Sequence, residues 1–332
     1  MPELTILTEN ELRQCVVLND GLLDATAKAF EAMATGNATA APAQRLWMPG
    51  GGGAIQARTA FMHGASHYAV KIGPTGGGQG GSLLLYDADS NQLRAMLLDN
   101  GYLARVQAAA AGAVAARKLA RENAKTAGIL GTSTHAYRHV EAMLLIREIE
   151  KIVLWDKDSD AVATLKQRIE ANHKVSVQTA GSVEKAVRNS DIVVTVTPSR
   201  SPILQADWLR PGLHITAAGA DAGNKNELAP EVLAEADIYV ADSREQCRWS
   251  GELTHAIGRR ADQRGRLDTG DPRSSKRITS RPNGKRRDHG GRLDRHRRTG
   301  RGDRRARGDA GRHPGARHQD LRRLTDAVTR LR

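Results

Sequence analysis

The sequence predicts an α/β protein built from two bodies, followed by a tail of different character. Three observations carry this. From about residue 121, short β-rich runs alternate with helical patterns at short spacing, the signature of βαβ units on a parallel sheet. Before that point, strand-like runs pair around turn signals, which suggests an α+β body with a largely antiparallel sheet. Just after Ile257-Gly258 the composition breaks: apolar residues almost vanish and roughly a third of the remaining residues are Arg. The expected boundaries are 1–120, 121–258 and 259–332.

The break decides how the charge is read. The chain has 50 basic and 37 acidic residues, a net of +13. From Arg259 onward there are 25 basic and 9 acidic residues, so the tail alone carries +16 and the body −3. The basic balance therefore gives the body no nucleic-acid signature. Two cysteines, Cys15 and Cys247, offer neither a disulfide framework nor metal-ligand spacing. No metal is expected, and a reducing, cytoplasmic setting is. The start shows no basic region followed by an apolar run, so no signal peptide is expected. No apolar stretch is long enough to cross a bilayer.

In chain order, Leu4–Leu7 reads as a strand. Thr8-Glu9-Asn10-Glu11 has capping-box spacing, so a helix comes next. A second helix covers about Leu22–Met33. Gly50–Gly53 interrupts the next segment. Ala57–Met62 and His67–Ile72 read as a hairpin or meander. Gly76–Gly81 is a loop. Ser82–Tyr86 and Leu93–Leu98 are strands around an Asp87–Asn91 turn. The Ala-rich run Ala108–Ala111 marks a closely packed helix between Gly101 and Ala120. The alternating series then begins. Strands are expected at Thr126–Leu130, Lys151–Trp155, Val175–Gln178, Asp191–Val196, His214–Ala217 and Ile238–Ala241. Helices are expected at His139–Ile146, Asp160–Glu170 and Val183–Val187.

Parallel sheets of this kind bind ligands at the carboxyl ends of their strands. The first strand–helix junction, Gly131-Thr132-Ser133-Thr134-His135-Ala136, occupies the place of a Rossmann dinucleotide fingerprint. Gly131 makes the tight turn. Ser133 stands where a second Gly would let backbone approach phosphate, and Ala136 fills the third position. Alone, the junction equally describes a plain strand–turn–helix corner. Asp156, at the end of the next strand, suits the ribose hydroxyls of NAD. Lys157 suits a 2′-phosphate, so NADP stays open. The fourth strand ends at the polar turn Thr197-Pro198-Ser199. The fifth ends at Ala218-Gly219-Ala220-Asp221, where a carboxylate between small residues is placed for catalysis.

Several stretches together resemble the ornithine cyclodeaminase/mu-crystallin family, most closely its ectoine-utilisation branch. They are Leu98–Leu103, Ala109–Ala116, Asp191–Ser199, Trp208–Gly212, Gly219–Asp221 and Ala241–Cys247, and the match covers residue 1 to about 258. The resemblance implies an N-terminal domain that dimerises and binds substrate, joined to a Rossmann domain. It implies a small diamino acid that gives hydride to NAD(P), cyclises with loss of ammonia, and takes the hydride back. Relatives without cyclisation reduce imines or oxidise amino acids. By motif position Asp221 is the acid/base, Lys71 is catalytic beside it, and Arg45, Lys71 and Gln107 bind the substrate, Arg45 and Lys71 holding its carboxylate. Ser82, Gly131, Ser133, Thr134, His135, Asp156, Lys157, Thr197, Ala218, Gly219, Ala220 and Lys225 line the cofactor. Taken singly, Arg45 reads as a surface charge, Lys71 as a snorkelling strand residue, and Asp221 as a turn cap.

Two departures from the family pattern bear on substrate. The family's carboxylate-gripping Arg before the Ala run is Gln107 here, which donates a hydrogen bond but carries no charge. Arg105, two residues earlier, does not share that helix face. The cofactor turn reads Thr132-Ser133-Thr134-His135, where the family favours Gly second and Gln fourth. The family also continues past Ile257 with an apolar segment and a DLTGTGVQD-type motif near the nicotinamide. This chain has neither. Codons compatible with Arg259–Arg266, read one base later, encode an apolar AGLISAA segment. Codons compatible with Asp288–Asp303 read likewise encode TTVADLTGTGVQDAA. The tail is therefore read as an out-of-frame translation that packs no structure. The alternatives are a basic arm for nucleic acid and an inert extension.

Overall fold

The structure, a computed structural model, describes residues 4–48, 54–74 and 80–263, with side chains as far as residue 257. The first sheet is built from β1 (Thr5–Thr8), β2 (Ala38–Ala40), β3 (Gln44–Trp47), β4 (Ala54–Met62), β5 (His67–Pro74), β6 (Ser82–Asp87) and β7 (Leu93–Leu98). Its order is β1-β7-β6-β5-β4-β2, with β3 also pairing β4. All its pairings are antiparallel except β1 with β7. The short strands β2 and β3 escape sequence reading because three or four residues around Pro42 show no period. The Gly-rich segments at 49–53 and 75–79 lie outside the described residues.

Three helices accompany this sheet. α1 (Glu9–Cys15) starts where expected, and the Glu11 carboxylate accepts from both the Thr8 N–H and its hydroxyl at 2.8 Å. α2 (Asp20–Thr35) is capped by Asn19, whose side chain accepts from the Leu22 N–H. It ends at Gly36 with φ 75°, the left-handed conformation that glycine adopts without steric cost. α3 (Tyr102–Leu119) serves two cores. Its first turns, through Tyr102 and Val106, pack with Leu12 of α1. Its Ala109, Ala110, Ala113 and Ala116 pack into the core of the second sheet. Small side chains allow that close approach: a Cβ at Gly112 would lie 2.9 Å from Thr216 Cγ2.

The second sheet is wholly parallel, in the order β10-β9-β8-β11-β12. Its strands are β8 (Thr126–Leu130), β9 (Lys151–Trp155), β10 (Ser176–Thr179), β11 (Ile192–Thr195) and β12 (His214–Ala217). α4 (Ala136–Ile146), α5 (Ser159–Asn172) and α6 (Val183–Arg188) connect them. Alternate residues enter opposite cores. Ile129, Ile152, Leu154, Ile192 and Val194 face the helices α3 to α5. Leu130, Val153 and Val193 pack with Val183, Ala186 and Leu233. Burial on both faces explains why these strands read as continuous apolar runs.

Beyond β12 come α7 (Pro230–Glu235), α8 (Arg244–Cys247) and α9 (Glu252–Gln263). The expected strand at Ile238–Ala241 is corrected. This segment joins no ladder among the described residues, and Ile238 and Val240 are about 60% exposed. A β-branched run without a neighbouring edge to bond stays irregular. α9 carries helix past the composition break to Gln263, since Arg, Ala and Gln are good helix formers. The rest of the tail lies outside the described residues. None of the described helices is long and apolar enough to cross a membrane.

Candidate functional site at the strand ends

The carboxyl ends of β8, β9, β11 and β12 gather most of the residues expected from sequence. At β8, Gly131 has φ 108°, and a Cβ there would lie 2.9 Å from the Val196 backbone. Only glycine fits both the turn and the neighbouring strand end. The turn then opens α4, whose first backbone N–H groups have no acceptor within the helix. Ser133 Oγ is buried there without a hydrogen-bond partner among the described residues. An orphan hydroxyl beside a helix N-terminus suits an anion such as a phosphate group.

Asp156, at the end of β9, holds this turn. Its carboxylate accepts from the Thr132 N–H at 2.7 Å and the Thr132 hydroxyl at 2.8 Å, and from the Asp158 N–H at 3.2 Å. Burial pushes its carboxyl up, but these donors outweigh burial and keep it below the usual range. Lys157 is exposed.

His135 precedes α4. Burial lowers its pKa, Arg105, Lys225 and Lys71 lower it further, and Asp221 opposes them. Charges from both sheets thus act on one imidazole. Lys71, on β5, is itself lowered by burial, with Asp99 opposing and Arg58 reinforcing. Asp221 pairs with Lys225 at 2.6 Å, and the Asp221 side chain stays half exposed. The loop carrying both is tied by Ser250 Oγ to the Asp221 carbonyl and by His255 to the Lys225 carbonyl.

Other expected residues are placed differently. Arg45 lies exposed on β3, opposite Gln56. Gln107 is exposed on α3. Ser82 begins β6 opposite Ile72, one residue from the partner of Lys71. The Thr197 hydroxyl and N–H and the Gly219 N–H all donate to Glu227. Ala218 closes the ladder by donating to the Thr195 carbonyl. Thr134 lines a crevice of about 510 Å³ with Arg13, Arg105, Tyr137, Arg138 and Arg168.

Sequence reasoning misses two residues here. Helix-face geometry sets Arg105 apart from Gln107, yet its charge reaches His135. Glu227 carries no motif, yet it is fully buried beneath the strand ends. Its only sequence signal is a carboxylate beside the apolar Leu228-Ala229.

A family model, the ornithine cyclodeaminase/mu-crystallin family, matches residues 6–275. An uncharacterised cyclodeaminase of Sinorhizobium fredii is 40% identical over 266 residues, 77% of this chain and 80% of that protein. Among solved structures, an archaeal alanine dehydrogenase dimer with bound NAD is 29% identical. It aligns with TM-score 0.70 over 77% of this chain and 79% of that one. The Thermococcus litoralis Δ(1)-pyrroline-2-carboxylate reductase, in complex with NADH and L-proline, shares the fold. Its TM-score is 0.71 at 23% identity, over 77% of this chain and 81% of that one. The family match, the relative's coverage and the two-sheet architecture agree: the chain belongs to the ornithine cyclodeaminase/mu-crystallin family.

Proposed function

We propose that the chain is built as an NAD(P)-dependent cyclodeaminase acting on a small diamino acid, ornithine-like or derived from ectoine. One observation carries the reading: the charges of Lys71, Arg105, Asp221 and Lys225 all act on the His135 imidazole at the strand-end turn. The unpartnered Ser133 hydroxyl beside the α4 N-terminus fits a dinucleotide's phosphates, and Asp156 fits its ribose. The dinucleotide, when bound, supplies a hydride acceptor and donor.

The chain's own residues do the rest. Lys71 and Arg105 offer cations to the substrate carboxylate, with Gln107 as an uncharged donor. Arg45 would join them from β3. The Asp221 carboxylate takes the proton from the attacking amine and gives one to the leaving amine. Lys225, 2.6 Å away, holds that carboxylate in place. Thr197, Ala218, Gly219 and Ala220 form the wall of the cofactor cleft, and Thr134 and His135 its entrance.

A second reading is imine reduction or amino-acid oxidation, supported by the reductase and dehydrogenase among the similar structures. Incubation with ornithine or 2,4-diaminobutyrate separates the two. Ammonia release with no net change in NADH supports cyclodeamination, and steady NADH consumption with an imine supports reduction. Failure of NADH to quench the Trp fluorescence at millimolar concentration would remove both and leave a non-catalytic family member or an arm-bearing binder.

We read residues 1–120 as the substrate and dimerisation domain and 121–258 as the Rossmann domain. The dimeric alanine dehydrogenase and the exposed Leu46 and Trp47 on β3 support a homodimer. The body's charge and unpaired cysteines support a cytoplasmic protein without a nucleic-acid partner. We further read the tail as out of frame, which makes this polypeptide less active than its in-frame counterpart. Sequencing the coding DNA tests that directly.

A further inference from the structure

Glu227 lies in the loop between β12 and α7, and no water reaches it. Its two carboxylate oxygens divide four donors between them. Oε1 accepts from the Thr197 N–H at 2.6 Å and the Thr197 hydroxyl at 2.7 Å. Oε2 accepts from the Thr195 hydroxyl at 2.6 Å and the Gly219 N–H at 2.9 Å. Among the described residues no Lys or Arg pairs with it. Burial raises its pKa and outweighs the four donors, which pull it down. Each oxygen faces a backbone N–H, a donor that cannot turn around, so the arrangement suits the ionised carboxylate.

The topology gives these contacts their meaning. The Gly219 bond closes the loop of residues 219–227 at its base, and that loop carries Asp221 and Lys225. The Thr195 and Thr197 bonds fasten the same carboxylate to the end of β11. A Cβ at Gly219 would stand 2.5 Å from Glu227 Oε2, so the strand end is glycine where the carboxylate passes. The backbone of Glu227 is held in turn. Glu252, at the start of α9, accepts from the N–H groups of Glu227 and Leu228 at 2.8 and 3.1 Å.

We propose that Glu227 is a positioning residue: its buried carboxylate fastens the ends of β11 and β12 together and so sets where Asp221 and the Thr197 turn stand. The inference rests on the reading of this edge as the reaction edge, but the fastening can be measured without it. In the full chain, Glu227→Gln puts a donor amide against one of the N–H groups, whereas Glu227→Asp keeps the charge on a shorter arm. Hydrogen exchange followed by mass spectrometry reads the segments 195–199 and 219–227 against β8 and β9. The expected result is exchange faster by about tenfold or more in both segments of Glu227→Gln, the scale of losing a buried acceptor, with β8 and β9 unchanged. Glu227→Asp recovers part of the protection, which a loss of packing alone would not do. NADH affinity weakens in the same order.

Unchanged exchange in a folded Glu227→Gln chain would overturn the proposal. So would Glu227→Asp behaving like Glu227→Gln. If Glu227→Gln unfolds throughout, Glu227→Asp decides: loosening confined to the two segments supports the proposal, and loosening everywhere overturns it. If no variant, nor the original chain, binds NADH while the exchange pattern holds, the cofactor reading fails and the fastening stands.

Discussion

Asp156 and Glu227 do the same mechanical task at opposite ends of one sheet edge, in different surroundings. Asp156 ties the end of β9 to the turn after β8 through Thr132, and it remains partly open to solvent. Glu227 ties the ends of β11 and β12 through Thr195, Thr197 and Gly219, and it is closed off. A half-open carboxylate retains lone pairs for a ligand. A closed one has all its acceptor capacity engaged by the protein. On the proposed function, the β8–β9 end serves binding and the β11–β12 end holds the reacting group still.

That contrast is testable. The largest effect belongs to Asp221, held by the closed end. Asp221→Asn should cut turnover by at least about 100-fold, the range of general acid–base catalysis, with NADH affinity changed less than about twofold. Weakened NADH binding with intact turnover would reverse the assignment of the two ends.

The core below both ends should fail in acid independently of either. Burial pushes the pKa values of His139 and His214 down to about 4, so both are neutral in the folded state. The unfolded chain takes up their protons from about pH 6.5 downward. Stability should therefore fall between about pH 6.5 and 4, by on the order of 3 kcal/mol per histidine. His139→Leu should flatten that slope in urea titrations at stepped pH. An equal slope in the variant would show that the buried ring does not contribute.

Asp156→Ala tests the open end. Leaving the Thr132 N–H without its acceptor should cost about 1–3 kcal/mol of stability and weaken NADH binding about tenfold. Turnover at saturating NADH should stay within about threefold, measured by initial rates. The smallest effect is expected at Gln107→Arg, which adds a charge-assisted contact for a carboxylate. KM for the amino-acid substrate should fall about fivefold, kcat staying constant. A rise in KM would place Gln107 away from the carboxylate.

The open end is legible in the sequence and the closed end is not, for a physical reason. β8, β9 and β12 match expectation to the residue, because β-branched and apolar runs bounded by Gly, Asp and Pro signals are local features. Gly131, Ser133 and Asp156 sit one step beyond those strands and inherit that legibility. Glu227 draws its partners from two strands about 10 and 30 residues back, a pairing no local period encodes. Helix-face geometry discounts Arg105 because it is blind to charge acting through space: the guanidinium contacts Asn100 and Glu9, yet its charge still lowers the His135 pKa. Ile238–Ala241 has strand composition but no strand to join among the described residues, so its propensity goes unused.

α9 gives one more consequence, for anyone trimming this chain. The Arg-rich stretch invites removal, and the cut could be placed upstream at the last residue of obvious fold, near Trp249. Glu252 and the first turns of α9 lie beyond that cut, and with them the carboxylate that accepts from two N–H groups in the 227–228 backbone. A fragment ending near residue 263 keeps that support, whereas one ending near residue 250 leaves the Glu227 and Leu228 N–H groups without their acceptor. The practical boundary of a minimal protein therefore lies beyond Glu252 and the first turns of α9, not near residue 250.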